Sequence, residues 1–157
     1  MLIYLLRHGE AVHPTKWSGP DFNRPLSKNG KEEVQKVAKA MARDGIIPEK
    51  ILSSPFLRAK ETAEIVGQEL GVEATAVKEF SSGAKSEDFR KVVANYKEDS
   101  ILVVGHIPDL LSFLCRLIHD ALIMEEGMAP AELIAVQTDP IDKGWAGGKF
   151  LWRKKPS

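Results

Sequence analysis

A single cysteine, Cys115, is all the thiol chemistry the chain carries in 157 residues, so an internal disulfide is excluded. No stretch approaches the roughly 20 apolar residues that a bilayer-spanning helix requires. Neither sign of charge is in excess: Lys+Arg and Asp+Glu each total 22, which removes the global field that nucleic acid, a membrane surface or a polyanion would exploit. Any anion site must therefore be local. Internal repeats and low-complexity segments are also missing, which excludes repeat architectures. The amino terminus opens on a strand pattern instead of the charged-then-apolar pattern of a secretory signal, and with one cysteine this makes cytoplasm the expected location.

What is present is ordinary for a soluble globular protein, with 43% hydrophobic and 28% charged residues. The length predicts one domain over residues 1–157, large enough to bury about two-thirds of the surface its unfolded chain exposes. The chain is organised around Leu2-Ile3-Tyr4-Leu5-Leu6-Arg7-His8-Gly9-Glu10. Five consecutive apolar residues suit a strand buried on both faces, and they run straight into Arg7 and His8. In an open α/β sheet, ligands sit beyond the carboxyl ends of the strands, where these two residues stand. Gly9 is expected to turn the backbone sharply and bring it close to a bound group.

Residues 11–25 contain His13, Pro14, Trp17, Gly19, Pro20, Asp21 and Pro25, a loop composition placed to lie over the site. A helix then follows Ser27 as N-cap, with Val34, Val37, Ala38 and Met41 on its buried face and Gly45 as its stop. Residues 50–53 form a brief strand. Ser54-Pro55-Phe56-Leu57-Arg58-Ala59 opens a second helix with Pro55 in its first turn, Ala59, Ala63, Val66 and Leu70 inward, and Gly71 at its end. Arg58 in the first turn opposes the helix dipole, which suggests an anion shared by both. A short edge strand over 72–77 and a loop precede a third helix capped by Ser86, with Phe89, Val92, Val93 and Tyr96 inward. Residues 101–105 repeat the opening pattern, a continuous apolar strand that ends in His106. A fourth helix begins at Ile107-Pro108, with Leu110, Leu111, Leu114 and Ile118 as its stripe. Residues 131–138 and 149–153 read as a hairpin, and residues 154–157 as a frayed end.

If the two histidine-terminated strands are parallel neighbours, His8 and His106 share one rim of the sheet, beside Arg7 and with Arg58 arriving from a helix start. Two arginines and two histidines describe a pocket for a small dianion, foremost a phosphoryl group, because the planar guanidinium fork matches tetrahedral oxygens. The cations favour the neutral form of a nearby histidine, and a neutral imidazole in line with phosphorus is a nucleophile.

Arg7-His8-Gly9-Glu10-Ala11, Arg24-Pro25-Leu26-Ser27 with Gly30, Ser54-Pro55-Phe56-Leu57-Arg58-Ala59 with Thr62, and Gly105-His106 with Pro108 resemble, in that order, the histidine phosphatase (phosphoglycerate-mutase-like) superfamily. The short length and the Ser-Pro-Phe-Leu-Arg-Ala block look most like its SixA-type branch, the phosphohistidine phosphatases. The likeness runs from Leu2 to about Leu114. It implies an α/β three-layer sandwich, a mostly parallel central sheet with helices on both faces. It further implies that His8 is the transiently phosphorylated nucleophile, that Arg7, Arg58 and His106 form the phosphate pocket, and that Arg24 is a secondary contact at its rim. No metal or other cofactor is implied, since the arginines supply the positive charge. In larger members a glutamate after the third strand protonates the leaving oxygen, and Glu79 is the positional candidate. A phosphohistidine substrate lessens the need for an acid, because imidazole leaves more readily than an alkoxide.

The implied partner is a phosphorylated protein, such as a phosphohistidine domain, or a small phosphate ester, and neither nucleic acid nor a membrane. The competing functions are a non-catalytic phosphoprotein-binding module, in which an in-line His8 would be idle, and a small phosphate-ester phosphatase. A mutase is disfavoured for lack of inserted sequence to close the pocket. A metal site from His8, His106 and Glu10 conflicts with the adjacent Arg7. Cys115 is expected as a buried small hydrophobe and His119 without a chemical role. His13 is likewise expected to have no chemical role, although it stands in the entrance loop, where it can touch substrate. Trp17 reads equally as a lid or as loop packing.

Overall fold

The computed structural model describes residues 1–156. Leu2–Arg7 forms β1, whose side chains alternate into two separate cores. Ile3 and Leu5 enter one and Tyr4 and Leu6 the other, which is why the strand is apolar without interruption. Ser100–Gly105, β4, lies parallel beside it with Arg7 opposite Gly105. Lys50–Ser53 (β2) and Ala74–Ala76 (β3) extend the parallel part outward from β4. On the other side of β1, Leu133–Gln137 (β5) and Lys149–Lys154 (β6) run antiparallel. The order is therefore β3-β2-β4-β1-β5-β6, six strands with a parallel centre.

Helices cover both faces. Lys28–Arg43 (α1) and Leu57–Leu70 (α2) bury Val34, Val37, Ala38, Met41, Ala59, Ala63 and Val66 against one. Ser86–Ala94 (α3), Asp109–Ile118 (α4) and the single turn Ile123–Glu126 (α5) cover the other, where Phe80, Phe89 and Phe113 stack at 4.6 and 5.1 Å between ring centres. This is the α/β three-layer arrangement expected. Within these helices, no span is long and apolar enough to cross a membrane.

Local boundaries depart from expectation where side chains redirect the backbone. Ser27 caps α1, its Oγ accepting the Gly30 N–H at 2.9 Å. Pro55, by contrast, lies outside α2, which starts at Leu57. The Ser54 N–H donates to the Val104 carbonyl at 3.0 Å and its Oγ accepts the Phe56 N–H at 3.1 Å, so residues 54–56 continue the edge of β2 as a turn before the helix begins. Ser86 is the first residue of α3 and not its cap, because Asp88 reaches back to accept the Lys85 N–H at 3.1 Å. The carboxyl end is not frayed through Lys154, which pairs with Leu133 and reaches Asp44 at 3.4 Å. Ser157, the last residue of the expected frayed end, lies outside the described residues.

Two glycines let α1 dock on the loop after β1. A Cβ on Gly30 would lie 2.0 Å from the Glu10 carbonyl oxygen, and one on Gly9 would lie 2.6 Å from Val34. What presses on Gly9 is thus the helix, and the expected close approach is made by protein.

Candidate active site

Parallel pairing of β1 with β4 delivers both histidines to one rim. The His8 N–H donates to the Gly105 carbonyl at 3.1 Å, and the two imidazole centres stand 5.2 Å apart. Arg7, His8, Arg24, Arg58, Ser82 and His106 line a hollow of about 370 Å³, bounded further by Glu10, His13 and Pro130. Four of the sequence-derived site residues and the rim arginine therefore meet, although Arg58 lies 51 residues from Arg7 and His106 a further 48 along.

The state of His8 follows from its partners. Its Nδ1 lies 2.7 Å from the Gly9 carbonyl oxygen, which can only accept, so the ring carries its proton there and leaves the Nε2 lone pair free. Its pKa is pushed down to about 4, chiefly by burial, with Arg58, Arg7 and Arg24 contributing in the same direction. The arginines favour the neutral ring as the sequence implies, but desolvation is the larger cause. His106 is lowered to about 3, again mainly by burial, then by His8 and Arg58. Its Nε2 lies 2.8 Å from Ser54 Oγ, while its buried Nδ1 has no partner. Ser54 accepts from Phe56, so its own hydroxyl hydrogen is available to His106 Nε2; in that tautomer Nδ1–H is an unused donor.

The arginines are held from outside the hollow. Arg7 Nη1 donates to the Met128 carbonyl at 2.7 Å, and its Nε is buried without a partner. Arg58 is 5% exposed; its Nη1 donates to the Asp21 carbonyl at 3.0 Å and its Nη2 to the Asp21 carboxylate at 3.2 Å. Arg24 donates to the same carboxylate at 2.9 Å and to the Val12 carbonyl at 2.8 Å. Hydrogen bonding from Arg24, supported by Arg58, holds the Asp21 carboxyl below its usual range. The anion facing Arg58 is thus an aspartate of the chain's own 11–25 loop, which folds over the site through the turns Pro14–Lys16 and Asp21–Asn23. Thr62 links the helix to the strand end, donating to the Arg58 carbonyl at 2.7 Å and accepting the Gly9 N–H at 3.1 Å.

Glu79 is not brought in. It lies exposed in the turn Lys78–Phe80, on a different hollow shared with Asp88, Lys91 and Tyr96, because Phe80 beside it is drawn into the core. Glu10 borders the site, but its carboxylate is engaged by Ser27 at 2.8 Å and Asn29 at 3.3 Å at the start of α1. Trp17 packs within its loop, its Nε1 donating to the Pro20 carbonyl at 2.9 Å. Sequence reasoning missed Asp21, Ser54, Ser82 and the Met128 carbonyl. Ser54 and Thr62 were inside the quoted motifs; nothing in the residue pattern marks Met128.

The family model described as the histidine phosphatase superfamily (branch 1) matches residues 3–82, which include Arg7, His8, Arg24 and Arg58. Phosphohistidine phosphatase SixA of Escherichia coli (strain K12) is 29% identical over 161 residues, covering 99% of this chain and 94% of that protein. A solved structure of the protein histidine phosphatase SixA complexed with tungstate superposes with a TM-score of 0.85 at 26% identity, covering 99% of this chain and 97% of that one. Serine/threonine-protein phosphatase Pgam5, mitochondrial, of Drosophila persimilis is 27% identical over 146 residues, 73% of this chain and half of that protein.

Proposed function

The chain belongs to the histidine phosphatase superfamily and is a phosphatase; from that premise we propose that it hydrolyses phosphohistidine on protein substrates through a phosphorylated His8. The observation that carries this proposal is the His8 ring: proton committed to the Gly9 carbonyl, pKa pushed to about 4, and an Nε2 lone pair available throughout the neutral range beside three guanidinium groups.

In the first step His8 Nε2 attacks phosphorus, and the P–N bond breaks as the substrate ring, already protonated on its other nitrogen, departs with the bonding pair as a neutral imidazole. Arg7, Arg58 and His106 bind the non-bridging oxygens and stabilise their charge in transit. Arg24 is a secondary phosphate or substrate contact at the rim. Water then attacks phosphorus, the His8 N–P bond breaks, and inorganic phosphate leaves with the neutral ring restored. Glu10 is the one carboxylate bordering the hollow among the described residues and is already engaged, which favours a leaving group that needs little help. Imidazole, whose conjugate acid has a reference pKa near 6.5, is such a group when the phosphorylated ring is protonated on its other nitrogen. The similarity to proteins named as phosphohistidine phosphatases points the same way.

A second substrate class has one observation in its favour. His13 Nδ1 accepts the Thr15 N–H at 3.2 Å, so the neutral ring carries its proton on Nε2, a hydrogen-bond donor at the rim for the alkoxide oxygen leaving from a phosphomonoester.

Rapid mixing with a radiolabelled phosphohistidine protein tests the proposal. An acid-labile, alkali-stable phosphoenzyme, lost in His8→Ala, is expected. Binding of the phosphoprotein without a phosphoenzyme or phosphate release would identify a recognition module instead. Turnover of a simple phosphomonoester as fast as the phosphohistidine protein, with a large loss in His13→Ala, would move the substrate to the ester class.

A further inference from the structure

Glu132 is completely buried, yet nothing in the chemistry above uses it. Its Oε1 accepts the Ala129 N–H at 2.9 Å, and its Oε2 is bound by Arg153 Nε. Arg153, on β6, also donates through Nη2 to the Gly127 carbonyl at 2.6 Å and through Nη1 to Glu126 at 2.9 Å. One guanidinium thus ties Glu126, Gly127 and Glu132 together and closes the 126–132 loop on itself.

That loop needs holding. Gly127 has φ 67°, and Ala131, with no such freedom, is left-handed at φ 58°, a conformation that an L-residue adopts only against steric resistance. Its inner edge meets the site. Met128 supplies the carbonyl that receives Arg7 Nη1 at 2.7 Å, the Glu132 carbonyl accepts the Arg7 N–H at 3.2 Å, and the Ala131 N–H approaches the carbonyls of Arg7 and His8 at 3.0 and 3.2 Å. The Arg7 guanidinium has its hydrogen-bond partner in the protein, among the described residues, from this loop. Burial works against the Arg7 charge and Glu132 works for it.

We propose that Glu132 and Arg153 are positioning residues for phosphoryl transfer: together they hold the 126–132 loop in the one shape whose Met128 carbonyl aims Arg7 into the hollow. This inference rests on the phosphate-pocket role given to Arg7 above. A pair serving only to stabilise the hairpin would have little reason to be ionic, since a buried salt bridge is a poor source of stability compared with apolar packing. Its further contacts, moreover, go to the loop, at the Gly127 carbonyl, the Ala129 N–H and the Glu126 carboxylate. The family model ends at residue 82, so this device belongs to a part of the chain that the model does not reach.

The test is a double-mutant cycle on the full chain. Arg153→Lys keeps the charge and loses the fork that spans three acceptors; Glu132→Gln keeps an acceptor for Ala129 and loses the charge. Tungstate affinity by calorimetry, kcat/KM on a phosphohistidine protein and thermal melting are read for each. A misplaced Arg7 predicts a loss of about 10- to 10²-fold in both tungstate affinity and kcat/KM. In an Arg7→Lys background the same substitutions should cause little further loss. Equal losses in both backgrounds, or unaltered affinity and turnover in folded variants, would overturn the inference. If the unsubstituted protein neither bound tungstate nor released phosphate, the assignment of the pocket itself would fall, a result distinct from normal wild-type activity with indifferent variants.

Discussion

The floor and the rim of the site are built by different means. The floor, Arg7, His8 and His106, hangs from the ends of two paired strands, through the His8 N–H to Gly105, the Ser54 N–H to Val104 and the Met128 carbonyl. The two strand contacts are sheltered and set by sheet register, and the Met128 carbonyl is set by the 126–132 loop. The rim depends on Asp21, a loop residue whose side chain is 58% exposed, which orients a nearly buried Arg58 and Arg24 together. A register cannot shift by a fraction of a residue, so the floor is rigid. An exposed carboxylate is screened by salt and replaceable by another anion, so the rim is adjustable. On the proposed mechanism the nucleophile stands on the rigid side and part of the phosphate-binding charge on the adjustable one.

The contrast is sharpest when one arginine is removed from each side. Arg7→Ala should lower kcat/KM by about 10²- to 10³-fold, on the order of 3 kcal/mol, the effect of deleting one donor from a preorganised oxyanion site. Arg24→Ala should cost about tenfold or less, because its neighbour Arg58 keeps its own hold on Asp21. Losses of similar size in the two variants, measured by steady-state kinetics, would erase the distinction.

A smaller effect separates the two regions by pH. With His8 at about 4, the free enzyme should retain kcat/KM as pH falls from 7 to 5.5, where an unshifted histidine would be about nine-tenths protonated and activity about tenfold lower. Stability moves the other way. His8 and His106 are neutral in the fold but charge near pH 6.5 when unfolded, so the unfolded chain binds more protons below that value. Stability conferred above pH 6.5 is therefore lost progressively as pH drops through about 4 and about 3. Denaturant titrations over this range should show the decline, and His106→Asn should flatten it.

The smallest effect belongs to the rim alone. Asp21→Asn keeps the backbone carbonyl for Arg58 Nη1 but removes a negative charge that competes with substrate, so affinity for inorganic phosphate should rise a few-fold at low ionic strength. The gain should shrink in high salt. A loss of affinity would mean that the carboxylate orients the arginines more than it opposes the ligand.

Most of the layered fold was legible in residue order. Continuous apolar strands at 2–6 and 101–105, a Ser27 cap, and glycine stops at Gly45 and Gly71 are local signals, and sequence carries local signals directly. It was equally informative about Arg7, His8, Arg58 and His106, because strand ends and a helix start are the positions from which a sheet presents ligand groups. Contacts made by an unremarkable backbone atom, or chosen among equivalent side chains by distance, left no such trace. Glu79 had the right chemistry, and only the burial of Phe80 decided that it faces elsewhere. Asp21 is one of 22 acidic residues, singled out by where its loop folds back. Met128 acts through a carbonyl that every residue possesses, and its role exists only because Arg153 and Glu132 curl the loop toward Arg7. Side-chain chemistry is written in the residue that carries it, whereas a convergence of distant backbone arises only from tertiary packing.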